Sequence, residues 1–186
     1  MKYDFGELTE LHVHVGSAVD PPIMWEIAHD QGIKLPTKNY WEFEKLITVS
    51  EVTTYEKYLA LFHWTELIQS SPEAMEKSIY SIASGAYRKN NITTLEIRFN
   101  PMKRNRGGER DLDHIILSAI HGLEKAMLAF PIKAGLIFCL DRTFSADLNM
   151  IIVKKAIKYK DRHVVGIDLA GSLNNKFKLP FLLGRK

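Results

Sequence analysis

The chain has 186 residues, of which 46% are hydrophobic and 25% charged, and its formal net charge is +3 at neutral pH. That balance suits one globular domain with its own core and argues against a disordered chain, a collagen-like repeat or a strongly basic nucleic-acid binder. No apolar run approaches membrane-spanning length, the first residues carry no signal-peptide core, and a single cysteine, Cys139, excludes an intramolecular disulfide, so a cytoplasmic protein with no membrane and no nucleic-acid partner is expected.

In chain order, the first strand is expected over about Leu8 to Val15. Asp20-Pro21-Pro22 then caps and opens a helix that Gly32 stops. Residues 33–52 read as irregular or weakly helical. A second helix is expected from Thr54 to Gln69, with Tyr58, Leu59, Leu61 and Phe62 apolar. A third starts at Ser71-Pro72 and ends near Asn90-Asn91; its Met75, Ile79, Ile82 and Ala86 make a core-facing stripe. Thr93 to Phe99 alternates as a strand, with Leu95, Ile97 and Phe99 on one face and Thr94, Glu96 and Arg98 on the other. Lys103, Arg104, Arg106 and Arg110 flank Gly107-Gly108 and read as a solvated loop. A helix from Asp111 to Leu128 carries Leu112, Ile116, Ala119 and Leu123 on one face, and a third strand covers Ile132 to Leu140. Ser145 can cap a helix reaching about Tyr159, and a fourth strand covers Val164 to Ala170. Strands separated by helices predict parallel pairing through crossover helices, and the nearly unbroken apolar third strand predicts cover on both faces. A doubly wound sheet and a β/α barrel both satisfy this pattern.

The chemistry concentrates in two of the strands. In Glu10-Leu11-His12-Val13-His14-Val15, side chains two apart share a face, so His12 and His14 point together while Leu11, Val13 and Val15 point into packing. Two imidazoles converging from one strand can grip a borderline-soft cation, although a solvated strand face produces the same spacing. In the fourth strand Gly166, Asp168 and Ala170 share a face. An aspartate among apolar neighbours needs a partner, and a structural carboxylate is the plainer reading of Asp168. Gly171 follows, where a glycine lets the backbone approach a ligand or simply turns the chain.

Three segments in order, Glu10-Leu11-His12-Val13-His14 with Gly16-Ser17, Leu95-Glu96-Ile97-Arg98-Phe99-Asn100-Pro101 and Gly166-Ile167-Asp168-Leu169-Ala170-Gly171, resemble the opening, second-strand and fourth-strand motifs of the adenosine/AMP deaminase family of metal-dependent hydrolases. Tyr58 to Phe62 also resembles the apolar lid that the family places over the purine. The resemblance implies an α/β fold: an incomplete (β/α) TIM-type barrel, its N-terminal half, with about four parallel strands and a helical insertion after strand one. One partial domain over 1–186 is expected, with 179–186 as a tail unlike the family. The resemblance also implies Zn2+ held by His12 and His14, a purine ring nitrogen on the Gly171 N–H, and Leu59 and Phe62 over the base. Asp168, Glu96 and Arg98 would support the site, the last two through an ion-pair network or a substrate contact. The family reaction is zinc-dependent hydrolytic deamination of a purine nucleoside or nucleotide at C6.

The sequence departs from the family in two places. Nucleoside deaminases usually carry an acidic residue two positions after the second histidine, facing the ribose; here Gly16 stands there. The family's His-Ala-Gly-Glu motif, its later histidine and its Asp-Asp pair are absent, so no catalytic acid or base is assigned and the chain reads as a truncated deaminase-like protein, inactive by itself. His121-Gly122-Leu123-Glu124 imitates the missing motif but lies within an amphipathic helix ahead of the fourth strand. His63 and Glu66 are expected on a solvated helix face. The remaining alternatives are another HxH amidohydrolase and a non-catalytic half-barrel that binds a partner chain; a homodimer or a missing C-terminal half is the expected partner.

Overall fold

Local sequence signals place most of the elements. The computed structural model describes residues 6–106, 108–109 and 111–171. Arg110 and the expected tail over 179–186 lie outside them. Strands β1 (Leu8–His14), β2 (Ile92–Phe99), β3 (Lys133–Asp141) and β4 (Val164–Ala170) form one parallel sheet in the order β1-β2-β3-β4. Parallel neighbours require crossovers, and helices supply them. Between β1 and β2 run α1 (Val15–Ala18), α2 (Pro21–Asp30), α3 (Tyr40–Ile47), α4 (Tyr55–Ile68) and α5 (Pro72–Asn90); α6 (Leu112–Ala129) leads into β3 and α7 (Ala146–Lys158) into β4. Thr54, Ser71, Asp111 and Ser145 each accept a first-turn N–H with the side chain, which is why α4, α5, α6 and α7 begin where they do. No helix among the described residues is long and apolar enough to cross a membrane.

The structure sharpens two expectations at the level of elements. The stretch read as irregular or weakly helical contains α3, capped by the Asn39 side chain accepting from the Trp41 and Glu42 N–H groups. Its one fully buried residue, Phe43, packs in a secondary cluster with Met24, Ile27 and Ile68, so the helix owes its stability to tertiary packing and not to a long apolar stripe. At β1 the strand ends at His14, and Val15 is already in α1.

The main core lies between one face of the sheet and the helices. Leu95, Ile97, Phe99, Leu136 and Phe138 meet Met75, Ile79 and Ile82 of α5 and Ile116, Ala119 and Leu123 of α6, while Ala86 and Leu112 sit at its margin. Cover stops at the outer strands. Leu11 on β1 was expected in packing but is 52% exposed. Ile167 on β4 pairs in register with fully buried Phe138 yet is 50% exposed, because no helix among the described residues lies beyond β4.

Where α5 and α6 cross, a Cβ on Gly122 would lie 2.3 Å from the Glu76 carbonyl oxygen. The His-Gly-x-Glu look-alike is therefore a helix-crossing point, with Gly122 buried and His121 exposed. Gly122→Val should force the helices apart and destabilise the chain by about 1–3 kcal/mol or more, as overpacking does. Urea unfolding of parent and variant measures this; equal stability would contradict the crossing.

Candidate active site

Strand alternation puts His12 and His14 on the same side of β1, with their Nε2 atoms 3.2 Å apart. The rings are tilted by 47° with centroids 5.1 Å apart. Zinc–nitrogen bonds of 2.0–2.1 Å at a tetrahedral angle require nitrogens about 3.3 Å apart, so the pair has the bite of one zinc ion. Among the described residues no group of three or more His, Cys, Asp or Glu could hold a metal. The histidines present thus fit two positions of a four-coordinate site. Burial lowers the pKa of His14 below the ordinary histidine value, with His12, Arg98 and Arg104 adding to the effect and Asp168 opposing it. The ring is therefore neutral at physiological pH, the form that can donate a lone pair to a metal.

Arg98 orders the face on which these rings stand. From β2 its Nη1 donates to Asp168 Oδ2 on β4 at 2.6 Å, and its Nη2 donates to the Leu11 carbonyl oxygen on β1 at 2.7 Å. Burial works to raise the Asp168 pKa, but the Leu169 N–H and the Arg98 guanidinium hold it below the usual carboxylate value. Glu96 lies on the same face of β2, but no ion pair joins it to Arg98, which takes Asp168 instead. Cys139 sits nearby on β3; burial, reinforced by Asp168, pushes its thiol up to about 12, so it is a neutral thiol at physiological pH.

A cavity of about 640 Å³ opens at the C-terminal ends of the strands, and its wall includes His14, Leu59, Phe62 and Gly171. The structure thus brings one of the two histidines, the α4 lid residues and the glycine after β4 to a single space, while His12, Glu96 and Asp168 stand off its wall. Gly171 has φ +96°, and its N–H has no hydrogen-bond partner among the described residues. His63 and Glu66, expected on a solvated face, lie at the cavity, His63 exposed and Glu66 half-buried.

Several polar residues on the wall were not singled out from the sequence. Asp141, at the end of β3, is 2% exposed; Lys103 Nζ lies 2.6 Å from its Oδ2, and the Thr143 N–H and hydroxyl donate to its Oδ1. These contacts outweigh burial and keep its carboxyl below the usual range. The available signal was an aspartate closing an apolar strand, since barrel strands carry functional groups at their C-terminal ends. Arg104, expected in a solvated loop, is 4% exposed. The Gln69 side chain, 35 positions earlier in the chain, meets it, and nothing local in the sequence signals that contact.

Comparison with known proteins gives a consistent answer. The family model described as adenosine deaminase matches residues 8–178. An adenosine deaminase from Clostridium perfringens is 30% identical over 173 residues, which are 92% of this chain and 52% of that protein. Among solved structures, an amidohydrolase from Burkholderia ambifaria with bound Zn superposes with a TM-score of 0.75 at 20% identity, over 91% of this chain and 45% of the other. Arabidopsis ADAL complexed with IMP gives 0.76 at 21% identity, over 90% and 50%. The chain spans about half the length of the curated relatives it matches. Its four parallel strands and crossover helices share the fold of about half of each of those structures. The chain belongs to the adenosine deaminase family.

Proposed function

We propose that this chain is the metal-anchoring half of a zinc-dependent purine deaminase, acting on a purine nucleoside or nucleotide at C6. The observation that carries the reading is the 3.2 Å separation of the His12 and His14 Nε2 atoms, with His14 on the wall of a cavity at the C-terminal strand ends. His12 and His14 would hold the zinc, which when bound lowers the pKa of a water to supply a nucleophile. Arg98 holds the Leu11 carbonyl and so positions the strand that bears both rings, and Asp168 anchors Arg98 in turn. Leu59 and Phe62 would cover the base by apolar contact, and the Gly171 N–H would donate to a ring nitrogen. The glutamate that protonates the ring would come from another polypeptide segment, either a C-terminal half or a partner chain. A buried, unpaired Cys139 suits a reducing compartment such as the cytoplasm.

A non-catalytic half-barrel that binds a partner is the second reading, favoured by the apolar residues left exposed along β4, Val165 at 59% and Ile167 at 50%.

Metal analysis after dialysis tests the zinc assignment. The parent chain should retain zinc weakly, because two protein ligands leave half the shell to water. His12→Ala together with His14→Ala should abolish uptake, and uptake should fall at acid pH as His14 protonates, below the ordinary histidine value because burial lowers its pKa. Tight stoichiometric zinc that survives the double substitution would refute it.

The pure chain should not turn over adenosine or AMP at an enzymatic rate, since general acid–base catalysis worth about 10²–10⁴-fold is missing. It should also migrate as a dimer or larger species in sizing with light scattering, and Ile167→Lys should lower the associated mass. Sustained deamination that is lost on His12→Ala would overturn the first expectation, and a monodisperse monomer at micromolar concentration would overturn the second.

A further inference from the structure

Just after β2 the chain buries a cation for which purine deamination gives no use. Arg104 closes the 3-10 turn Met102–Arg104 and is 4% exposed, yet it forms part of the cavity wall. Its Nη1 donates to Gln69 Oε1 at 3.3 Å, and the Gln69 amide nitrogen is itself engaged by the Val15 carbonyl oxygen at 3.1 Å and Ser78 Oγ at 3.3 Å. No carboxylate among the described residues comes within ion-pair distance of Arg104; Glu66, which also lines the cavity, contacts Arg106 at 3.7 Å. Burial pushes Arg104 down to about 10 against the attraction of the Glu66 carboxylate, which still leaves it charged at neutral pH. A desolvated guanidinium with no carboxylate in contact is costly, and the partner that would meet it is an anion.

The hydrogen-bond inventory agrees. Arg104 Nε, Arg98 Nε and Asn100 Nδ2 are buried and unpartnered, and all belong to residues of this wall. Each is an N–H donor, so what the wall lacks is acceptors. The other cations of the wall already have carboxylates: Arg98 has Asp168, Lys103 has Asp141 and Arg106 has Glu66, which leaves Arg104 as the one to be met. Gly16 provides the room, because a Cβ there would lie 3.3 Å from Arg104 Nη2 and 2.9 Å from Phe62 Cδ1. The guanidinium and the lid aromatic thus close over the backbone two residues beyond His14.

We propose that Arg104 is the anion-recognition element of the cavity, and that the molecule bound there carries an oxyanion, a phosphate or carboxylate, in addition to its ring. The ring rests on the purine-site reading above; the anion rests on Arg104, so the two can fail separately.

Calorimetric titration of the zinc-free 186-residue chain with AMP, adenosine and inorganic phosphate tests this. AMP should bind about tenfold or more tighter than adenosine, as expected for hydrogen bonds between charged groups, and phosphate should compete with AMP. Arg104→Met should reduce AMP to the affinity of adenosine without lowering the melting temperature, because a buried unpaired charge is removed. Gly16→Asp, which brings a carboxylate to the guanidinium, should erase the same advantage by an independent route. The proposal is overturned if the parent binds AMP no better than adenosine, if phosphate binds alongside AMP without competing or fails to bind, or if the AMP advantage survives Arg104→Met. Should the zinc assignment alone be wrong, the His12→Ala, His14→Ala chain still shows the AMP preference.

Discussion

The arrangement of the site depends on one guanidinium. Arg98 stands on β2 and grips β4 through the Asp168 carboxylate and β1 through the Leu11 carbonyl. A central strand thereby ties down both edge strands on the face that the helices do not cover. The tie is strong because the arginine is 8% exposed, so its charge is poorly screened and must be met by a fixed partner. Asp168 is 34% exposed at its side chain, and water shares in balancing it. Breaking the pair from the Asp168 side would therefore leave the more deeply buried charge unmatched. It would also loosen the strand on which the His12–His14 geometry stands.

The same sheet has an unfinished character that follows from its topology. Parallel strands need cover on both faces, and a barrel meets that need by closing on itself. Among the described residues β2 and β3 have neighbours on each side, whereas β1 and β4 each have one. The exposed Leu11, Val165 and Ile167 mark where neighbours would lie, and the relatives that the chain matches are about twice as long. Helices α5 and α6 complete the outer layer over β2 and β3, which is why burial is near total there and fails at the edges.

At the strand ends, electrostatics and packing share the same residues. Lys103 neutralises Asp141, whose other oxygen is held by Thr143, so that corner is satisfied internally. One residue further on, Arg104 is satisfied only in part, by an uncharged amide. Neighbours in sequence thus have opposite electrostatic fates, because the 3-10 turn sends one toward the strand end and the other beneath α4. The lid helix contributes apolar cover from Leu59 and Phe62 and polar groups from His63 and Glu66 to the same space.

The sequence by itself determined the parts governed by local rules. Alternation marked β2, apolar continuity marked β3, and helix starts were legible at Thr54, Ser71, Asp111 and Ser145, where the structure shows side-chain caps, since these depend on residues within one turn or one pleat of each other. The pairing of His12 with His14 was legible for the same reason. What tertiary structure decided was burial wherever the covering residues are remote in sequence. Phe43 is inside because α2, α4 and α5 pack around it, which turns an unpromising stretch into α3. Leu11 is outside because, among the described residues, β1 has a neighbour on one side only. Arg104 lies in an Arg-rich stretch that reads as surface, and it is buried because Gln69 and α4 lie over it; Glu66 on that helix is half-buried beside the same cavity. No periodicity carries such information, because the free energy that places a charged side chain is set by what lies across the cavity and not by its neighbours along the chain.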